Sequence, residues 1–191
     1  DLLYRRALEA LERTLGKDHV HTLASGSNLG RLLHAQGKLD EAEPFLRRAL
    51  EARERTLGKE HMHTLTSVNN LGSLLQARGK LDEAELLFRR ALEGRERTLD
   101  KDHVDTLTSV SNLGLLHHDR GKLDEAELLL RRALETRERT LGKDHMSTLA
   151  SVNNLGRLLH DQGKLDEAEL LYRRALETRE RTLGKDHMST L

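Results

Sequence analysis

The sequence predicts an all-α fold, a right-handed α-solenoid (superhelix) of antiparallel helix pairs. Three observations lead there. The phrase GKLDEAE begins at Gly37, Gly79, Gly121 and Gly163, always 42 residues apart. Leu, Ala, Glu, Arg and Lys dominate, with one proline and four aromatics, a helix-forming composition with little β-branched material for a sheet. Between the glycines, apolar positions recur every three and four residues, the period of a helix with one buried face.

Four copies align from Thr22, Thr64, Thr106 and Thr148, and 26 of the 42 positions are identical in all four. The remaining differences are few enough to read individually. One repeat array is expected over 1–191: a partial repeat at 1–21, full repeats at 22–63, 64–105, 106–147 and 148–189, and the start of a further repeat at 190–191. The first helix of a copy is predicted from about His21 to Gln36. Leu65, Val68, Leu71 and Leu75 form its stripe in the second copy. Gly37 stands where a left-handed C-cap ends it. The second helix is predicted from about Asp40 to Leu57, with the stripe Leu39, Ala42, Leu46, Ala49, Leu50 and Leu57. Asp40 as N-cap with Glu43 three residues on reads as a capping box. The second stop is Gly58, Gly142 or Gly184, replaced once by Asp100, a residue type that tolerates left-handed backbone. Small residues at Gly30, Ala42 and Ala49 predict close helix approach. One hairpin cannot bury its stripes alone, so neighbouring copies must stack. Gly26 and Pro44 make the first full copy the one expected to open most readily; with Gly94 they also read as a natural array, since a designer would avoid them.

Lys plus Arg equals Asp plus Glu, at 32 each. A phosphate binder carries an excess of cations, so neither nucleic acid nor a membrane surface is expected as partner. No apolar run approaches the roughly 20 residues of a membrane span. The absence of cysteine excludes disulfides and thiolate chemistry, and a cytoplasmic setting is the expectation. Of eleven histidines, His19, His61, His103, His145 and His187 recur in the connectors. Without a carboxylate set at ligand spacing they do not read as a metal site. There is no phosphate loop, no H-E-x-x-H and no nucleophile elbow. No enzyme and no cofactor are expected.

In the fourth copy, Asn154, Leu155, Gly156, Leu159, Gly163, Ala168, Tyr172, Ala175 and Leu176 fall in an order that resembles the tetratricopeptide repeat. The 42-residue period and the LGKDH connector are similar to the variant found in kinesin light chains. The proline usual after the connector's Asp-His is absent, replaced by Val20, Met62, Val104, Met146 or Met188. The resemblance implies a solenoid whose first helices line a concave groove for peptides.

The copies differ most along one arc of the first helix. Ala24, Ser27, Arg31, His34 and Ala35 correspond to Thr66, Asn69, Ser73, Gln76 and Ala77, to Thr108, Ser111, Leu115, His118 and Asp119, and to Ala150, Asn153, Arg157, His160 and Asp161. The charges of the second helix, Arg47, Arg48, Glu51, Arg53, Glu54 and Arg55, are the same in every copy. They read as a solvated convex face with i,i+4 pairs Glu43–Arg47, Arg47–Glu51 and Glu51–Arg55. The recurring Asn28, Asn70, Asn112 and Asn154 allow two readings: a structural bond within the array, or a row that pairs with a ligand backbone. The candidate groove is therefore Ser27, Asn28, Arg31, His34, Asn69, Asn70, Ser73, Gln76, Ser111, Asn112, Leu115, His118, Asn153, Asn154, Arg157 and His160. Its expected occupant is a peptide or helix of a partner protein. The alternative is a structural array that associates head to tail through faces such as Tyr4, Leu8 and Leu11.

Overall fold

The structure, a computed structural model, describes residues 2–183. Gly184, His187, Met188 and the start of a further repeat at 190–191 lie outside the described residues. Those described form nine helices and no strand: α1 (Leu2–Leu15), α2 (Val20–Ala35), α3 (Leu39–Leu57), α4 (Met62–Ala77), α5 (Leu81–Thr98), α6 (Val104–Asp119), α7 (Leu123–Leu141), α8 (Met146–Asp161) and α9 (Leu165–Leu183). They divide into two units, Asp1–Leu99 and Asp100–Leu191. In each unit consecutive helices pack on one another, and first helices of neighbouring copies also touch, α2 on α4 and α6 on α8.

Gly37 has φ +74°, as has Gly79, and Gly121 and Gly163 are alike. The Lys38 N–H reaches the Leu33 carbonyl at 2.9 Å and the Gly37 N–H reaches that of His34 at 2.9 Å. That is the Schellman pattern predicted from the glycine, repeated at all four sites. The start of the second helix differs from expectation. Lys38, Lys80 and Lys122 hold the N-cap position without a side-chain capping bond, so Asp40 lies inside the first turn. There its charge suits the positive helix end, but it forms no capping box. The first helices begin one residue early, at Val20, because the connector histidine caps them. Nδ1 of His19, His61, His103 and His145 accepts the N–H two residues on, at 3.1–3.3 Å. The histidines thus recur for a local backbone reason that their spacing did not reveal.

The second stop is also instructive. Gly58 takes φ +89°, ψ 164°, a region open essentially to glycine alone. Asp100 does not copy it. α5 stops a residue sooner, Leu99 is extended at φ −124°, and the Asp100 carboxylate accepts the Asp102 N–H at 3.0 Å. Aspartate replaces the turn rather than adopting its backbone.

Within each copy the two helices run antiparallel: Gly72 meets Phe88 while Gly94, further along α5, meets Leu65, near the start of α4. The predicted stripe of Leu65, Val68, Leu71 and Leu75 is buried, as are Ala42, Leu46, Ala49 and Leu50. Leu57 is not; it is 40% exposed. Leu8, expected open, is buried and lies against α2, its Cδ1 3.9 Å from where a Gly26 Cβ would stand. In the second unit Leu130, Val152, Leu155, Leu158 and Leu159 centre one core cluster.

The charges on the second helices pair mainly between copies. Arg5 bonds Glu41 at 2.6 Å, Arg48 bonds Glu12 at 2.5 Å and Arg55 bonds Asp18 at 2.5 Å. In the second unit Arg131 bonds Glu167 at 2.8 Å and Arg139 bonds Asp102 at 2.5 Å. The Glu43–Arg47 pair forms as predicted, at 2.6 Å, but Arg55 turns to Asp18 instead of Glu51. At Glu43 and Glu127 the last glutamate of GKLDEAE is a joint rather than a cap. Glu43 also bonds Arg78 of α4's C-cap. Glu127 takes Lys164 at 2.7 Å and Arg131 at 2.8 Å. Lys164, working against partial burial and helped by Arg131 and Gln162, holds the Glu127 carboxyl down to about 2, from an ordinary 4.5.

Two outcomes follow. A depressed carboxyl contributes stability that is complete above its unfolded value and fades as pH falls. Glu127→Gln should therefore flatten the loss of urea midpoint between pH 4.5 and 2; an unchanged slope would contradict the assignment. Gly26 stands where Val68, Val110 and Val152 fill the core, and a Cβ there makes only ordinary contact. Gly26→Ala should stabilise by about 1 kcal/mol and slow amide exchange in α2. Gly72→Ala should destabilise, since its Cβ would come 2.7 Å from Phe88 Cε1. Shifts of the same sign would overturn the packing account.

Candidate functional site

A helix in a stacked array is flanked by neighbours on both sides, so its solvent-open arc is narrower than a helical projection implies. Ser27, Asn69 and Ser111 show this. All three sit on the variable arc, yet each is 5% exposed. They face packed helices instead of the groove. Asn153, at the matching position of α8, is half-buried.

The rest of the candidate set remains accessible. In the first unit α2 presents Asn28, Arg31 and the half-buried His34, and α4 presents Asn70, Ser73 and Gln76, all half-buried. In the second unit α6 presents Asn112, Leu115 and His118, half-buried, and α8 presents Asn153 and Asn154, half-buried, with Arg157 and His160 exposed. Each unit thus brings its own members together on two adjacent first helices. The side chains of Asn28, Asn70, Asn112 and Asn154 make no hydrogen bond among the described residues. Their amides are not engaged in holding the array together. Arg31 and Arg157 likewise have no ion pair among the described residues. Burial lowers the His34 pKa, which favours the neutral imidazole. In the second unit His118 Nε2 lies 2.8 Å from Asp161 Oδ2, and His160 Nδ1 lies 3.2 Å from Asp161 Oδ1. This bridge joins α6 to α8, and the imidazoles of His160 and His118 hold the Asp161 carboxyl below its ordinary value.

The variation at the arc's edge has a second cause, one that sequence reasoning missed. Arg53, Arg95 and Arg137, assigned above to a solvated face, turn inward; Arg95 is 3% and Arg137 5% exposed. Arg137 Nη1 donates to Ser111 Oγ at 3.0 Å and Ser151 Oγ at 2.5 Å, and Nη2 donates to Thr108 Oγ1 at 3.3 Å. One guanidinium therefore bonds the first helix of its own copy and that of the next. Burial lowers the pKa of Arg137 and Arg53, but an arginine stays charged well above neutrality. The invariant Ser67, Ser109 and Ser151, a fixed serine beside an apolar stripe, were the available signal.

The match of the chain to the tetratricopeptide repeat model runs over residues 3–55, 24–97, 63–139, 105–181 and 145–191. This protein belongs to the tetratricopeptide repeat family. Its 42-residue repeats are of the kinesin-light-chain-like kind. A Podosopora anserina protein described as a kinesin light chain, with nearly identical TPR-like repeats, is 29% identical over 95% of this chain and 86% of its own, with a TM-score of 0.69. BtubC (BKLC) of P. vanneervenii, 23% identical, covers 100% of this chain and 74% of its own, with a TM-score of 0.79. The apo form of RapI, 16% identical, covers 94% and 62%, with a TM-score of 0.73. The last two bear on the fold alone. No curated protein matches this chain. Tetratricopeptide repeats generally serve as protein–protein interaction scaffolds and are typically non-catalytic. No helix among the described residues is long and apolar enough to cross a membrane.

The buried arginine yields a test of sign. Ser111 and Ser151 already donate to the carbonyls of Leu107 and Ser147, so neither is orphaned if the guanidinium goes. A buried charge, by contrast, is costly once its partners are removed. Ser151→Ala should destabilise by about 1–3 kcal/mol, more than Arg137→Met. Chemical denaturation of both variants measures the order, and the reverse order would refute it.

Proposed function

We propose that this protein is a non-catalytic docking scaffold that binds a peptide of a partner protein along the open faces of its first helices. The observation that carries the reading is the asparagine row, whose amides have no partner of their own among the described residues. An amide offers both donor and acceptor, so it bonds a peptide backbone without reading its side chains. Packed helices lie about 8–10 Å apart, close to three residues of extended chain at about 3.3 Å each. Within each unit, one asparagine per copy would thus meet a strand at every third residue. Arg31 and Arg157 add cations without an ion-pair partner among the described residues, which favours carboxylates on the ligand. The balanced net charge gives no support to nucleic acid or a membrane surface as partner.

A second reading, self-association, draws on exposed apolar groups. α1 shows Leu2, Leu3 and Tyr4, and α9 shows Leu170, Tyr172 and Leu176. Copies joined through such unlike faces form open chains.

A peptide selected on the full chain from a displayed library supplies the probe. Alanine at Arg31, Asn70, Asn112 or Arg157 should weaken it about tenfold, on the order of one hydrogen bond to a charged or amide group. Alanine at Arg47 or Arg139 should weaken it far less. Equal effects at both sets would sink the groove. Light scattering over a concentration series decides the second reading: mass that grows without peptide supports it, and a constant monomer mass removes it.

A further inference from the structure

The inward arginine is not satisfied alike in every copy. Arg137 has three hydroxyl partners, and its Nε is buried. In the first full copy Ala24 stands where Thr108 does, so no hydroxyl meets Nη2. Ser27 stands where Ser111 does, yet its buried Oγ has no partner. Arg53 keeps only the Ser67 Oγ at 2.6 Å and the His63 carbonyl at 3.5 Å, both through Nη1. Its Nε and Nη2 have no partner and, unlike Nε of Arg137, are not sealed from solvent. These two N–H groups lie on one edge of the guanidinium, the edge that grips a carboxylate with two parallel bonds.

Arg53 lines a cleft of about 230 Å³ between the start of α2 and the end of α3. Val20, Leu23, Ala24 and Leu57 supply apolar walls. Asp18 also lines it, but its carboxylate bonds Arg55 at 2.5 Å, so its charge is already matched. His63 stands at the α4 side. An apolar cleft with one convergent charged group is the usual form of a small-ligand site.

We propose that this cleft binds a carboxylate carrying a short aliphatic group, the carboxylate held by Arg53 Nε and Nη2 and the aliphatic group by Val20, Leu23, Ala24 and Leu57. Two sources share that chemistry: a free branched-chain acid, or the C-terminal residue of a peptide. The second and third full copies carry Thr66 and Thr108 at the Ala24 position, and their hydroxyls take the Nη2 donor, from Arg95 and Arg137, at 3.3 Å. The fourth full copy has Ala150 there, but Nε of its Arg179 is buried, unlike that of Arg53, so among the described residues the open Nε and Nη2 edge distinguishes the first full copy.

The test is nuclear magnetic resonance on the ¹⁵N-labelled full chain, titrated with 4-methylpentanoate, its amide, and an acetylated tetrapeptide ending in leucine. Both acids should give saturable shifts at the Arg53 side chain and at the Leu23 and Leu57 amides; the amide should not. Ala24→Thr installs the residue used in two other copies, so the fold should survive, as its melting temperature will report. It should weaken both acids at least about tenfold, and Arg53→Lys should do likewise by losing the paired grip. A tighter peptide assigns the site to a peptide C terminus, and equal affinity assigns it to the free acid. No saturable shift with either acid up to about 10 mM, far weaker than ordinary ligand affinities, overturns the proposal. So does equal binding of the amide, or undiminished binding by Ala24→Thr. None of these outcomes bears on the asparagine row, which lies elsewhere on α2 and on α4, α6 and α8.

Discussion

The close crossing of the two helices in each copy is the constraint on which the rest depends. At Gly30, Gly72, Gly114 and Gly156 the first helix has no Cβ, and Leu46, Phe88, Leu130 or Tyr172 occupies the space. A methyl group there would stand 2.7–3.0 Å from that neighbour, a distance packed atoms do not accept. The absent side chain sets how near the helices come. That nearness sets which face of the second helix turns inward. In consequence an arginine four positions after Ala133 or Ala49, Arg137 or Arg53, can reach across to serines on first helices.

That geometry changes the meaning of sameness among the copies. The second-helix charges are uniform because they mate with neighbouring copies: Arg5 with Glu41, Arg48 with Glu12, Arg131 with Glu167. Exposed pairs of this kind contribute little individually, but they oppose any slip of one copy against the next. The buried arginine adds a polar requirement inside the interface, a device better suited to fixing register than to raising stability. Uniform charges thus mark joints, and variable residues mark open surface, core filling as at Leu46 and Phe88, or, at Ala24, Thr66 and Thr108, the fit around the arginine.

The helices, their antiparallel order and the turn at Gly37 were legible in the sequence, because period and glycine placement follow from backbone geometry alone. Helix starts were less so. His19 outcompetes later residues as a cap through a ring nitrogen, and Asp40 sits a turn position too late to cap. The exposure of Arg31 and Arg157 and the recurrence of the asparagines were legible from the repeat register. Ser27, Asn69 and Ser111 were misplaced, since a helical projection contains no neighbours. The inward turn of Arg53, Arg95 and Arg137 was illegible for a related reason: charge argues for solvent until a partner hydroxyl on another helix is known.

The pairing between copies has a consequence for how such a chain can change length. Its partners stand 36 or 37 residues apart, just under one period, so a duplicated segment carries a donor for the copy before and an acceptor for the copy after. The segment 106–147 holds seven acidic and seven basic residues, and 148–189 holds seven of each as well. Gene duplication or loss of one such period would therefore leave the net charge unchanged, and the number of copies can drift while ion pairs of this spacing are kept.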